Sequence, residues 1–441
     1  MSRRGNVAHP APVAATLLVA TLCLQSTTIR ADATDEEIAE AGDIVQILLP
    51  ISGYVGAWIA GDKEGAFQLT KALGAAGITA QSIKFTGSRL RPDGTDNKSF
   101  PSGHTTAAYS GAEFIRVRYG NGWGVPAHIA AAFVAYSRVR ANKHFLDDVL
   151  AGASNGMMWN WYFTSPYSEV LDLQPVVLED GYAVEFAYNF DGKVRTDADY
   201  SDQPRFRYNF EFGPVTQDKN LFTSPSASGT ELDLATAEDE FDVTSQITFQ
   251  HFFAPRHQWE AYLAPLELVE FDPAKLIPGP VDFAGVTFVP TPGSTFRSRY
   301  NFNEIRLVYR YALIDSEKWA LKLGGGLQYA DTYLGIRQFL GDSASENIIA
   351  EAEAESIVYN PILSGRLSYN FNYKWRLEYE LDGVTGGEKY INTALILNYR
   401  AAPGWDLGVG ARYSSWEIEN ATVKNELEYG DVVFRVAHMF F

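Results

Sequence analysis

The period of the apolar residues changes once along this chain, near Ser165-Pro166, and that change sets what each half can fold into. From Asp35 to about Tyr162 apolar residues recur at helical spacing, in segments 36–60, 64–79, 103–118, 125–141 and 145–162. Breaks such as Gly61-Asp62 and Gly120-Asn121-Gly122 separate them, so an all-α bundle is predicted over 34–165. Its most apolar stretch, Ile44 to Ala60, holds Gln46, Pro50, Gly53 and Gly56 and falls short of the ~20 clean apolar residues of a membrane span. A buried core helix is expected there.

Beyond the break the period is two. Tyr182, Val184, Phe186, Tyr188 and Phe190 alternate with smaller or polar residues. Trp375, Leu377, Tyr379 and Leu381 alternate with Arg376, Glu378, Glu380 and Asp382. Short turns at 315–317, 370–372 and 402–404 alternate with longer polar connections at 341–355, 383–388 and 418–423. Tight turns at one end, longer loops at the other, and strands of about ten residues are the pattern of an outer-membrane barrel. The 24 Tyr, 27 Phe and 9 Trp lie mostly after residue 160 and supply its interfacial girdles. The expectation is a two-domain α + β chain, with an antiparallel β-barrel of ten to twelve strands over 177–441. In that frame the odd-numbered residues of 375–381 face lipid, with Arg376, Glu378 and Glu380 in the lumen. A secreted β-sandwich is the alternative for this half.

Arg3 and Arg4, the apolar run from Ala11 to Leu24 and Ala31-Asp32-Ala33 read as a secretory signal peptide over 1–33. The single cysteine, Cys23, leaves with it, so no disulfide framework is expected. A formal charge of −18 argues against nucleic acid as a partner, because phosphate backbones are bound by clustered Lys and Arg.

Against that acidic background, Lys84, Arg91 and Arg138 place three cations in one short region, and guanidinium groups match phosphate oxygens through paired hydrogen bonds. Ser102 and Gly103 follow Pro101 at the start of a predicted helix, whose first N–H groups can meet an anion. His104 and His144 remain for covalent and proton-transfer work. Asp148, four residues after His144 in a helical pattern, is predicted on the same face, where it fixes the imidazole tautomer. His128, in Val125-Pro126-Ala127-His128, is predicted to be structural.

The ordered set Lys84 to Arg91-Pro92, Pro101-Ser102-Gly103-His104, and Ser137-Arg138 to His144 and Asp148 resembles the type 2 phosphatidic acid phosphatase family. That family includes bacterial class A acid phosphatases, lipid phosphatases and vanadium-dependent haloperoxidases, and the resemblance covers about residues 36–163. It implies that His144 is a nucleophile forming a phosphohistidine, that Asp148 orients it, and that His104 is the general acid and base. Lys84, Arg91, Ser102, Gly103 and Arg138 would hold the phosphoryl oxygens. No metal and no cofactor are implied, and many relatives are integral membrane proteins, whereas this domain looks like a soluble form. The expected partners are a phosphate ester, in particular a lipid phosphate, and outer-membrane lipid. A domain that precedes the first strand of a barrel whose termini face inward is expected in the periplasm. The alternatives are a vanadium-dependent haloperoxidase, or an outer-membrane pore or adhesin with an accessory helical domain.

Overall fold

The structure, a computed structural model, describes residues 34–440 apart from 88, 168–170, 179–180, 189–203, 224–229, 236–241, 272–276, 278, 342–346, 385–388 and 420–422. The signal peptide expected over 1–33 lies outside the described residues. The chain divides into two units, 1–202 and 203–441.

The first unit contains five helices among the described residues: α1 (Asp35–Ile59), α2 (Lys63–Thr86), α3 (Gly103–Tyr119), α4 (Asn121–Arg140) and α5 (Leu146–Phe163). Their starts follow from local chemistry. Thr34 and Glu37 form a capping box at α1, the Asp62 carboxylate accepts from the Gly65 N–H at α2, and the Ser102 hydroxyl caps α3. Glycine at 152 is required by close packing, since a Cβ there would stand 2.5 Å from the Ser102 carbonyl oxygen. Its absence lets α5 lie against the turn that opens α3.

The expected burial of α1 is corrected. Only Gly42, Leu49, Gly53 and Ala57 are buried, while Ile44, Ile47, Leu48, Ile51, Val55 and Trp58 stay exposed. The helix runs straight through Pro50 for 25 residues and is long and apolar enough to cross a membrane by length and composition. The sequence break after Ala60 was visible. What was not visible is that α3 and α4 need only the small-residue edge of this helix, leaving its Ile and Leu face unpartnered.

The second unit is a closed ten-strand antiparallel sheet: β1 (Phe206–Thr223), β2 (Asp242–Ala254), β3 (His257–Phe271), β4 (Ser294–Asp315), β5 (Trp319–Leu340), β6 (Ile348–Asn370), β7 (Trp375–Val384), β8 (Lys389–Ala402), β9 (Trp405–Glu419) and β10 (Lys424–Phe440). Each strand pairs with its neighbours in sequence, and β10 closes on β1 in a register that runs from Phe440 against Phe206 to Lys424 against Thr223. Closure leaves no open edge of unpaired N–H and C=O groups. A short extra strand, Glu231–Asp233, pairs with β1, and a small hairpin joins Val281–Phe283 to Val286–Phe288. The alternating segment Gly181–Tyr188 is not part of the closed sheet. It pairs with Leu171–Leu178 in a separate two-stranded sheet, so the barrel begins at Phe206 and not near 177.

The lumen side of the sheet carries paired charges. Arg306 lies between Glu304 at 3.0 Å and Asp382 at 2.5 Å, and Arg435 meets Glu378 and Glu380 at 2.5 and 2.6 Å. The outer side exposes Leu307, Leu327, Leu363, Tyr379, Leu381 and Leu407. On β7 the predicted alternation is plain from Tyr379 on, with Tyr379 and Leu381 exposed and Glu380 and Asp382 buried, while Arg376, Leu377 and Glu378 are all half-buried.

Candidate active site

All the motif residues fall in the first unit, and four local structures carry them. Lys84 sits on the last turn of α2, which extends seven residues past the predicted helix. Its ammonium donates to the carbonyl oxygens of Lys98 and Ser99. Burial, together with the Arg91 charge, pulls its pKa down to about 8, against the opposing pull of Asp148.

Arg91 opens the turn Arg91-Pro92-Asp93-Gly94. Gly94 adopts a φ of 75° there and returns its N–H to the Arg91 carbonyl at 2.9 Å. The guanidinium donates to Asp96 at 2.8 Å, to the Lys143 carbonyl at 3.0 Å and to His144 Nε2 at 3.3 Å.

His144 and Asp148 do not meet as two residues stacked on one helical face. The helix that holds Arg138 ends at Arg140, Asn142 turns through a φ of 54°, and the N–H groups of Lys143 and His144 fold back onto the Arg138 carbonyl. His144 therefore precedes α5, one residue before the extended N-cap Phe145, and Asp148 belongs to the first turn of that helix. The Asp148 carboxylate accepts from the Phe145 N–H at 2.8 Å, and the same oxygen lies 3.4 Å from His144 Nδ1. The two are brought together by helix-start geometry.

Asp148 is fully buried and held in place by residues the motif does not include. Its other oxygen accepts from Arg89 at 3.0 Å, the Ser99 hydroxyl donates to the oxygen that faces His144, and Arg89 also pairs with Asp147 at 2.7 Å. Burial alone would raise the Asp148 pKa, but the Arg89 charge and the His144 and Ser99 contacts outweigh it and hold it at about 2.

This arrangement fixes the tautomer of His144. A guanidinium has donors only, so Nε2 beside Arg91 must be the unprotonated nitrogen and Nδ1 carries the hydrogen toward Asp148. Burial, with the cations Arg91 and Lys84, lowers the imidazole pKa below its ordinary value, against the raising effect of Asp148. The result is a neutral ring with a lone pair at Nε2.

His104 lies one residue inside α3, partly exposed. Burial and the Arg138 charge bring its pKa down to about 4, while the Asp43 carboxylate pulls the other way. Asp43 stands 3.1 Å from His104 Nε2 and 2.6 Å from Arg138 Nη1. The Arg138 guanidinium also donates to the Ala39 carbonyl and to the Ser137 hydroxyl. Ser102 is turned inward: its hydroxyl caps the Thr105 N–H at 3.4 Å and its own N–H donates to the Asp148 carbonyl at 2.9 Å. The first-turn N–H groups free of intrahelical acceptors are then those of Gly103 and His104. The space a Cβ would take at Gly103 is open.

Arg89, Ser99 and Asp43 are absent from the sequence prediction. Arg89 lies two residues before Arg91 and could have been found by that proximity. Asp43 had no signal beyond being an acidic residue in an apolar helix. His128 is structural as expected: it is buried, 3.0 Å from Glu113, and donates from Nδ1 to the Gly124 carbonyl at 2.9 Å. Among the described residues, no group of three His, Cys, Asp or Glu side chains is placed to hold a metal ion.

Fold and site together define a two-part protein: a helical domain that gathers cations around a neutral histidine backed by a buried carboxylate, and a closed barrel of outer-membrane type. Residues 65–169 match the PAP2 superfamily model, and this stretch of the chain is a PAP2 superfamily domain. A Lipid A 1-phosphatase from Porphyromonas gingivalis is 31% identical over 160 residues, which is 30% of this chain and 36% of that relative, so the match spans about a third of the relative's length. Among solved structures, LpxE of Aquifex aeolicus aligns over 33% of this chain and 92% of its own at 21% identity and a TM-score of 0.28. The outer membrane protease OmpT of Escherichia coli aligns over 55% of this chain and 99% of its own at 11% identity and a TM-score of 0.36.

Proposed function

We propose that the helical domain is a metal-independent phosphatase acting on lipid phosphates, and that the barrel tethers it to the outer membrane. The observation that carries the chemistry is the pair of contacts on His144, with Arg91 at Nε2 and buried Asp148 at Nδ1. In the first step the Nε2 lone pair attacks phosphorus, the P–O ester bond breaks, and the leaving oxygen takes a proton from His104. In the second, water attacks the phosphohistidine, its proton passes to His104, and the P–N electrons return to Nε2. Lys84, Arg91, Arg138 and the N–H groups that open α3 balance the phosphoryl oxygens throughout. Ser102 contributes by shaping that turn. His104 is neutral in the free site, and a bound dianion offsets the Arg138 and Arg91 charges that depress its pKa, returning it to a range where it can carry a proton.

A lipid substrate is supported by the surface beside the site. Asp43 is followed on α1 by exposed Ile44, Ile47, Leu48 and Ile51, and Lys84 by exposed Phe85. An apolar surface of that extent next to a phosphate site suits acyl chains. The relative named a lipid A 1-phosphatase makes a lipid A phosphate the first substrate to try. A periplasmic position is supported by the barrel itself, because the chain enters it at Phe206, at the end with the tight turns, where Phe440 also lies. With a signal peptide over 1–33 this gives an exported enzyme facing lipids of the inner leaflet or in transit.

The test is phosphate release by purified full-length protein from lipid A, phosphatidate and p-nitrophenyl phosphate in excess chelator, with and without vanadate. Turnover of the lipids in chelator, inhibited by vanadate, is expected. Activity lost in chelator and restored by zinc or magnesium would overturn the mechanism, and preference for the soluble ester would overturn the lipid assignment.

A further inference from the structure

The three central strands of the barrel are too long for the membrane they would cross. A tilted strand needs about 9–11 residues to span the hydrocarbon, yet β4 and β5 have 22 residues each and β6 has 23. Their polarity also inverts halfway. At the outward positions of β4, Ile305, Leu307, Tyr309, Tyr311 and Leu313 occupy the part near the tight turn and half-buried Arg297 and Arg299 the far end, with Asn301 and Asn303 buried between them. The lumen face does the reverse: Glu304, Arg306 and Arg310 near the turn, then Phe296, Tyr300 and Phe302 beyond. β6 repeats the pattern, with Ile357, Tyr359, Leu363 and Leu367 outward near the turn and Glu351, Glu353 and Glu355 outward beyond it.

Outward aromatic pairs stand at two levels of the barrel. One is at the tight turns, where Trp319 packs on Tyr369 and Trp375 on Tyr399. The other is in mid-strand, where Tyr329 packs on Tyr359. Trp319 to Tyr329 is ten residues of β5, about 33 Å of strand, which at a barrel tilt becomes ~25 Å of height. That is the height of a lipid-facing apolar band. Past the second level the outer surface bears ion pairs such as Arg337 with Glu351 and Lys389 with Glu417. There the inside packs Leu334, Ile336, Trp416 and Leu427 around Phe283 and Phe288 of the small hairpin.

We infer that only the half of the barrel between the two aromatic levels lies in lipid, and that the half beyond the mid-strand tyrosines projects into water as a β-barrel with its own apolar core. A charged outside with an apolar inside is the arrangement water demands, and an apolar outside with paired charges inside is the one hydrocarbon demands. One sheet meets both conditions in succession.

This inference rests on the barrel being a membrane element, and the experiment separates the two. Full-length protein with Cys23→Ser is given single cysteines by Leu363→Cys and Val409→Cys in the band, or by Glu353→Cys and Glu417→Cys beyond it. Each is labelled with a fluorophore and reconstituted in phosphatidylcholine vesicles with or without brominated acyl chains, using only variants that keep a heat-dependent gel shift. Loss of fluorescence in brominated lipid is expected for the first pair, with none for the second. Equal quenching of all four would overturn the inference and leave the membrane assignment standing, whereas no quenching of any would overturn the membrane assignment itself. The unmutated chain gives an independent result. Water-soluble carbodiimide should modify Glu353 and Glu355 in vesicles, and protection of both would contradict the projecting half.

Discussion

The carboxylate of Asp43 stands 3.1 Å from Nε2 of His104, reaching it from α1, a helix that supplies none of the motif residues. The same oxygen lies 2.6 Å from Arg138, so one acidic side chain touches both the proton donor and a phosphate-binding cation of the proposed reaction.

That contact sets a pH dependence. Burial and Arg138 lower the His104 pKa to about 4, and Asp43 is the group that opposes them. A general acid must be protonated, so kcat/KM should fall as pH rises through the His104 value. Removing the Asp43 charge should move that limb to lower pH. Asp43→Asn is therefore expected to shift the descending limb of the kcat/KM profile toward acid while leaving the phosphoryl-acceptor step intact. An unmoved limb, or a shift toward higher pH, would contradict this.

Arg89 holds the two buried carboxylates of Asp147 and Asp148. Arg89→Met leaves both without that cation, and breaking a buried pair of this kind costs about 3–5 kcal/mol. A corresponding loss of stability is expected in denaturant unfolding followed by the near-UV signal of the helical unit, with turnover also reduced because His144 loses its fixed partner. A change within about 1 kcal/mol would show that the clamp contributes little.

The lipid-spanning half of the barrel is crossed by ion pairs between strands that are not neighbours. Arg306 on β4 reaches Asp382 on β7, and Arg435 on β10 reaches Glu380 on β7. With the other half packed by Phe283, Phe288 and Trp416, the protein should insert into planar bilayers without steady ion conductance. Stable open-channel currents would favour a pore.

The sequence showed both halves and their order, because helical and alternating periods are local and the switch at Ser165-Pro166 is abrupt. It also displayed the eight motif residues, which lie within one 65-residue stretch. It did not show Asp43 or Ser99, whose roles depend on which helix and loop pack beside the site. The exposed face of α1 was hidden because apolar spacing alone does not tell a buried stripe from an unpartnered one. Glu351, Glu353 and Glu355 were placed in a loop for a related reason. An outward row of carboxylates does not fit a lipid-facing strand, and only the paired register with Gly335 to Arg337 shows that the strand continues through them.

The most direct test is the covalent intermediate. Full-length wild-type protein is mixed with a 32P-labelled phosphomonoester bearing a good leaving group, quenched in alkali to preserve phosphohistidine, and mapped by peptide. Label on His144 is expected in wild type and in His104→Ala, whose weakly basic leaving group needs little protonation, and none in His144→Ala. Equal labelling of wild type and His144→Ala would show that another residue attacks phosphorus.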